Sequence, residues 1–334
     1  MLDPRLTRDW LDFERFKSRY QKAEVQEFPN RVTDVMSEPL LSVVLVTYQH
    51  GNFIESAIES ILVQETTFPF EIIIGDDESS DGTREICREY AERYPDRIRL
   101  FLHTRENNIK ILGRPTGIFQ IAYNLLNARG KYLALTSGDD YWCDPKKLKT
   151  QVQYLEAHSE TSYTYHRSLR LYEEDGAFTG PHENRRIQSI VGRHVFKKLP
   201  HEFMQIMQED SFMKYFWSDI GHATFLPEIE PLVTRQHGGA MFSALDRAKV
   251  EDQRLNYQKH LTKVCRNHPG HHRKTRRKLG RRILKRNIFN GERVSVEKIF
   301  QAIKELRKNR VFGLALIPLV QMALRKCVPL IRSR

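Results

Sequence analysis

Leu41-Ser-Val-Val-Leu-Val-Thr47 is a nearly unbroken aliphatic, β-branched run, the composition of a strand buried on both faces. Phe53, Ala57, Ile58, Ile61 and Leu62 follow at helical spacing and predict an amphipathic helix. The alternation continues. Phe70-Glu-Ile-Ile-Ile74 predicts a second strand, Asp81-Gly-Thr83 opens a helix to about Tyr94, and Ile98-Arg-Leu-Phe-Leu102 predicts a third strand. Residues 116–128 predict a helix and 131–136 the next strand. Asp144 as N-cap and Pro145 in the first helical turn predict a helix from Lys146 to about His158. Strands separated by helices of this length predict an α/β fold with a mainly parallel sheet covered on both faces.

The flanks are less regular. Trp10, Phe13, Phe16 and Tyr20 fall at helical spacing in a polar N-terminal stretch, read as a helical extension over residues 1–38. After residue 160 the pattern loosens. Thr161 to Tyr172 alternates as a strand does, and 173–200 reads as a loop with short elements. Ser211 to about Gly221 reads as an aromatic-rich helix, and 234–239 as a flexible segment.

In parallel sheets ligands bind beyond the carboxyl ends of the strands. Three polar clusters fall there: Thr47-Tyr48-Gln49-His50, Asp76-Asp77-Glu78-Ser79 and Gly138-Asp139-Asp140. Adjacent carboxylates at the end of an interior strand repel each other and lose hydration, so a fold keeps them where something positive binds. Magnesium- and manganese-type ions take oxygen ligands and often combine one or two carboxylates with substrate phosphates. Asp139-Asp140 therefore predicts a metal–phosphate site. Neither GxGxxG nor GxxxxGK[ST] occurs, so neither a dinucleotide Rossmann site nor a P-loop is supported.

Composition and the N-terminus add four things. The length of 334 residues and the 40% hydrophobic content allow one large domain with appendages. Cys87, Cys143, Cys265 and Cys327 form no CxxC pair, which argues against a zinc knuckle or a disulfide framework and fits a reducing compartment. No basic start followed by an apolar run marks the N-terminus, so no secretory leader is expected there. The net charge of +12 is concentrated: from Cys265 onward 20 Lys and Arg stand against 3 Asp and Glu. A mildly acidic body with a strongly basic tail is a statement about partners.

Ser42-Val-Val-Leu-Val-Thr-Tyr48, Gly75-Asp-Asp-Glu-Ser-Ser-Asp-Gly-Thr83 and Gly130-Lys-Tyr-Leu-Ala-Leu-Thr-Ser-Gly-Asp-Asp-Tyr-Trp142, in that order, resemble family 2 glycosyltransferases of the GT-A fold over roughly residues 40–245. The resemblance implies inverting transfer of a sugar from a nucleotide diphosphate donor, with a UDP-sugar favoured, to an acceptor hydroxyl on a glycan or lipid-linked acceptor in cell-surface polysaccharide or glycolipid assembly. It implies that Asp77 bonds the donor's base, with Thr47 and Tyr48 beside it. Asp140 would hold a Mn2+ or Mg2+ ion and Asp139 the donor's ribose or sugar. Glu209-Asp210 matches the position of the general base, with Asp210 preferred. Thr234-Arg-Gln-His-Gly-Gly239 resembles the YRxHxGG-like segment of one branch, though Thr234 stands where that branch often has Tyr and the spacing from His to the glycines is one residue shorter. On that match Arg235 would contact the diphosphate and His237 the metal, and Arg114 would lie in a donor-facing loop. No QxxRW motif and no bundle of transmembrane helices is present, which favours single addition over processive synthesis.

The domains expected are an extension over 1–38, a GT-A catalytic domain over 39–250 (a nucleotide-sugar half, 39–145, and an acceptor half, 146–250) and a basic, amphipathic helical region over 251–334. Val296, Ile299, Phe300, Ile303 and Leu306 mark an apolar helix face. The run 311–320 is apolar but too short and too broken by Pro318 to span a bilayer. A basic amphipathic segment predicts peripheral contact with an anionic membrane, on the cytoplasmic face of the cell membrane. The alternative is a non-catalytic GT-A-like protein that binds a polyanionic membrane or nucleic acid through this tail. Nucleic acid is not the expected partner, because no nucleic-acid-binding fold signature accompanies the charge.

Overall fold

The structure, a computed structural model, describes residues 9–28, 38–183, 186–207, 209–238, 247–264, 276–284 and 296–309. Its described residues fall into two compact units, one holding those of 9–28, 38–183, 186–204 and 209–238, the other those of 205–207, 247–264, 276–284 and 296–309.

The first unit opens with β1 (Trp10–Leu11), α1 (Phe13–Tyr20) and β2 (Gln26–Phe28). A regular alternation follows: β3 (Leu41–Thr47), α2 (Ile54–Leu62), β4 (Phe70–Asp76), α3 (Thr83–Arg93) and β5 (Ile98–Leu102). A small hairpin of β6 (Ile109–Ile111) and β7 (Arg114–Thr116) leads into α4 (Ile118–Asn127), β8 (Tyr132–Ser137) and α5 (Lys147–Ala157). Then come β9 (Thr161–Tyr165), β10 (Ser168–Tyr172), β11 (Ala177–His182), β12 (Val191–Arg193), β13 (Leu199–Pro200), α6 (Glu209–Ile220), β14 (His222–Phe225) and β15 (Leu232–Gln236).

Eight strands make the central sheet in the order β14-β9-β12-β8-β3-β4-β5-β2. β8, β3, β4 and β5 run parallel, while β12 and β2 are antiparallel to their neighbours. From β3 the chain winds outward through β4 and β5, then returns to lay β8 on the other side of β3. The carboxyl ends of β3 and β8 therefore flank the point where strand order reverses, which is where such sheets leave a crevice.

The alternation of side chains along β3 explains how both faces are covered. Leu41, Val43 and Leu45 join Ile72 and Ile74 in one cluster with Ile54, Ala57, Ile58 and Ile61 of α2, Cys87 and Ala91 of α3, and Leu148, Val152 and Leu155 of α5. The opposite face carries an aromatic layer, in which Phe101 of β5 meets Tyr123 of α4 at 5.2 Å between ring centroids.

Four expectations change. Residues 9–28, read as part of a separate extension, belong to the first unit. β2 pairs with β5, and fully buried Phe16 of α1 packs on Phe119 of α4 at 5.1 Å. The helical spacing of the aromatics marked α1 but could not name its partner. The run Thr161–Tyr172 is two strands, not one: β9 lies in the central sheet, and β10 lies between β11 and β15 in a second sheet. β12 emerges from the stretch read as loop and inserts between β8 and β9. Finally, α5 starts at Lys147, one residue later than expected, while the Asp144 carboxylate accepts the amide of Lys146 two residues on (2.7 Å), as an N-cap does, and also that of Glu230 (3.1 Å).

The second unit is helical: α7 (Arg247–Val264), α8 (276–284) and α9 (Val296–Lys308). Leu255, Leu261 and Val264, then Leu279, Ile283 and Leu284, then Ala302 and Leu306 are buried. Lys259 of α7 bonds Glu305 of α9 at 2.6 Å. Part of the apolar face of α9 assigned to a membrane is thus already buried in the fold. The apolar run 311–320 lies outside the described residues. Among the described residues no helix is long and apolar enough to cross a membrane.

Candidate active site

β4 ends at Asp76, and the next amide, that of Asp77, donates to the Thr47 carbonyl at the end of β3 (3.1 Å). This holds Asp77 at the crevice, 4% exposed. Its Oδ2 accepts from Asn108 Nδ2 (3.0 Å) and Arg105 Nη1 (3.2 Å). Its Oδ1 is buried without a partner. Burial pushes the Asp77 pKa up to about 6, although Asn108 and Arg105 pull it down. The Arg105 guanidinium also lies 4.1 Å over the ring of Tyr48. Arg105 and Asn108 come from the loop after β5, which carries no motif. Their only signal in the sequence was their place beyond the third strand. Asp76, by contrast, is fully buried and bonds Arg84 of α3 at 2.5 Å, an interior ion pair.

The loops after β3 and β4 are shaped by two non-glycine residues in the left-handed region, Gln49 (φ 56°) and Glu78 (φ 62°). Gln49 exchanges side-chain bonds with Ser80, and Glu78 accepts from the Arg105 amide at 2.6 Å. Such conformations cost energy and persist only where surrounding bonds impose them.

Gly138 carries the turn after β8 close to β3. A Cβ there would stand 2.5 Å from Thr47 Oγ1 and 2.9 Å from His50 Nδ1. The close approach delivers Asp139 to a pair of imidazoles. Asp139 Oδ2 lies 3.2 Å from His237 Nε2 and 4.0 Å from His50 Nε2. Ligand atoms of His50, Asp139 and His237 all fall within 4.8 Å of one another. Asp139 Oδ1 is buried and unpartnered. Burial works to raise the Asp139 pKa, but His50, Ser137 and His237 together hold it below the ordinary carboxylate value. Burial keeps the His50 pKa low, with Asp139 opposing. A carboxylate with an unpaired oxygen beside two imidazoles is a donor set suited to a divalent first-row cation, so these residues fit such an ion.

Asp140 faces elsewhere. It is 4% exposed, and its Oδ1 accepts from the Arg235 amide at 3.0 Å. Burial, then the neighbouring charge of Asp139, raises its pKa well above the usual range. By the family resemblance Asp140 is expected on the metal and Asp139 on the ribose or sugar. The geometry instead gathers Asp139 with His237 and turns Asp140 inward, because consecutive residues of a turn point in different directions.

Arg235, expected on the diphosphate, is engaged within the fold. Its guanidinium bonds Glu173 Oε1 (2.8 Å), Ser56 Oγ (3.1 Å) and the Asp139 carbonyl (3.1 Å), between the rings of Tyr141 and Phe53. It positions the Asp139 turn. Thr234 and Arg235, read as flexible, are the end of strand β15. Arg114 stands on β7, next to Pro115, Thr116 and Gly117 of the cleft wall.

The cleft has a volume of about 440 Å³ and joins these parts. Tyr48, Asp77 and Arg105 line one part, Thr47, His50 and Asp139 another, and Asp210 with Met213 of α6 a third. α6 begins at Glu209, so Asp210 lies in its first turn rather than ahead of it, and its carboxylate bonds Lys214 one turn on at 3.0 Å. The Glu209 side chain is outside the described residues.

Residues 42–207, which include β3, β4, β8 and their polar ends, match the family described as Glycosyl transferase family 2. Over this span the chain belongs to that family. Relatives of the family 2 segment include an uncharacterised protein of Mycobacterium tuberculosis, 43% identical over 137 residues, 41% of this chain and 37% of the relative. EpsE of Bacillus subtilis, a glycosyltransferase by name, is 34% identical over 36% of this chain and 40% of its own length. The chain thus spans well under half the length of these relatives. Among solved structures, residues 1–349 of TarS from S. aureus, in complex with UDP-GlcNAc, superpose with a TM-score of 0.55 at 19% identity, over 82% of this chain and 83% of that one. That likeness shows the shared fold, a GT-A-like α/β architecture with a mainly parallel sheet.

Proposed function

We propose that this chain transfers a glycosyl group from a nucleoside diphosphate sugar to an acceptor hydroxyl, with inversion. The observation that carries the reading is that Asp77, Asp139 and Asp210, far apart in the chain, line one cleft at the carboxyl ends of the strands of a family 2 fold.

At the base end, the free Oδ1 of Asp77 is an acceptor. It suits the ring N–H of uracil and opposes cytosine, whose corresponding nitrogen carries a lone pair. Tyr48, backed by Arg105, offers a face for stacking. The UDP-GlcNAc held by TarS supports the same preference. Asp139 and His237 would hold a Mn2+ or Mg2+ ion, which when bound supplies Lewis-acid stabilisation of the leaving diphosphate. Asp210 takes the proton of the acceptor hydroxyl as that oxygen bonds the anomeric carbon and the bond from that carbon to the diphosphate breaks on the opposite face. Lys214 holds the Asp210 carboxylate in place.

The acceptor would be a growing surface polysaccharide, in keeping with TuaG of Bacillus subtilis, a relative 33% identical over 118 residues and named for teichuronic acid biosynthesis. The basic C-terminal region would hold the enzyme against an anionic membrane carrying such acceptors.

The test is release of nucleoside diphosphate from a panel of UDP-, GDP- and dTDP-sugars with Mn2+. UDP-sugars should be consumed, and Asp210→Asn should stop turnover while retaining UDP-sugar binding. No release from any donor, with or without polysaccharide acceptors, would sink the reading.

A further inference from the structure

We propose that His50 is a third protein ligand of the cation site formed by Asp139 and His237, with the Thr47 hydroxyl as its orienting partner. The proposal rests on the reading of the cleft as a cation–nucleotide site and goes beyond it, since none of the family's motifs at this crevice singles out His50.

The arrangement of hydrogen bonds points to this role. His50 Nδ1 lies 3.1 Å from Thr47 Oγ1. With Nδ1–H donating to that hydroxyl, the lone pair of Nε2 faces Asp139. Metal-binding imidazoles are held this way, one nitrogen fixed by an outer partner and the other presented to the ion. The His50 amide donates to Thr83 Oγ1 at 2.8 Å, which anchors the backbone. The rings of His50 and His237 stand at 89° to each other with centroids 6.1 Å apart, so they reach Asp139 from different directions.

The distance of His50 from Asp139 favours a bridging ion over a direct contact. His50 Nε2 to Asp139 Oδ2 is 4.0 Å, too long for a hydrogen bond. With metal–ligand bonds of about 2.1 Å, two ligand atoms on one ion lie roughly 3 to 4 Å apart. The 4.0 Å separation of His50 Nε2 from Asp139 Oδ2 falls in that range, while His237 Nε2 already hydrogen-bonds the same oxygen at 3.2 Å, a bond that an ion would replace. Asp139 Oδ1 is left buried and unpaired without an ion. Gly138 completes the case, since a side chain there would strike both Thr47 Oγ1 and His50 Nδ1.

The experiment uses the full chain with Mn2+ alone and no sugar donor. Free Mn2+ is followed by electron paramagnetic resonance, and directly bound imidazole nitrogens are counted from pulsed-resonance 14N modulation. The wild type should show two coupled imidazoles, and His50→Gln and His237→Gln one each. His50→Gln should weaken Mn2+ binding at least tenfold with an unchanged circular dichroism spectrum. Thr47→Val should weaken it less and keep both imidazoles. A wild type that binds Mn2+ through one imidazole, with His50→Gln unaltered, overturns the proposal and leaves the cation site standing. A wild type that binds no Mn2+, even with UDP added, overturns both.

Discussion

Asp77 carries a charge that depends on pH near neutrality. Its pKa is pushed up to about 6 by burial. A carboxylate of that pKa is roughly 90% ionised at pH 7 and roughly 10% at pH 5. The ionised form accepts a uracil N–H, and the protonated form places its own hydrogen near the same site. UDP affinity should therefore fall up to about tenfold from pH 7 to pH 5, measured by calorimetry without metal. Asp77→Asn should bind more weakly and show a flat profile over that range. At the Asp139 turn the two carboxyls should separate cleanly. Asp139→Asn should lose Mn2+ binding, whereas Asp140→Asn, whose Oδ1 can still accept from the Arg235 amide, should keep Mn2+ affinity within about threefold, read by the same resonance titration. The three clusters beyond the strands were legible in the sequence, because the buried runs of β3, β4 and β8 point at them. Which aspartate faces the crevice was not, since neighbours on a turn are equivalent in a linear pattern. Arg105 and Asn108 were not either, because a loop without periodicity says nothing of where its side chains end.

The regular elements from β3 to α5 were legible because each obeys one clear period, two for strands or 3.6 for helices. β12 and the division between β9 and β10 were not. Short strands owe their state to neighbours distant in sequence, and β12 has only Val191, Gly192 and Arg193 to offer. The docking of α1 was hidden for the same reason, and it makes a prediction. Phe16 is fully buried against Phe119, so Phe16→Ala should cost about 3–5 kcal/mol, seen as a lower urea midpoint for the unit. β15 makes another. Arg235 brackets Glu173, Ser56 and the Asp139 carbonyl, so Arg235→Ala should weaken Mn2+ binding several-fold although Arg235 does not line the cleft. Arg235→Lys should rescue little, because one ammonium cannot reproduce a planar fork held between two rings.

The charge of the whole molecule sits in its C-terminal region, and the burial of Ala302 and Leu306 in α9 changes what that charge can do. With part of the apolar face enclosed, attachment to a membrane would be mainly electrostatic, worth about 1 kcal/mol per basic residue near the surface and screened within a Debye length. Binding to phosphatidylserine vesicles in a sedimentation assay should be clear at 0.1 M salt and largely lost at 0.5 M. Neutral vesicles should not bind. Replacing the exposed Arg277, Lys278 and Arg281 by Gln should reduce it at low salt; binding that persists in high salt would show an inserted apolar segment instead.

The left-handed backbone at Gln49 and Glu78 bears on how this protein would respond to selection for heat resistance. Each strained residue withholds on the order of 1 kcal/mol from the folding free energy, a sizeable share of the 5–15 kcal/mol that typically keeps a domain folded. Both lie on the loops that build the cleft, so the cheapest gains in thermal tolerance are located where turnover would be put at risk. A thermostable variant found without an activity screen should accumulate Asn or Gly at these two positions and lose donor affinity with them.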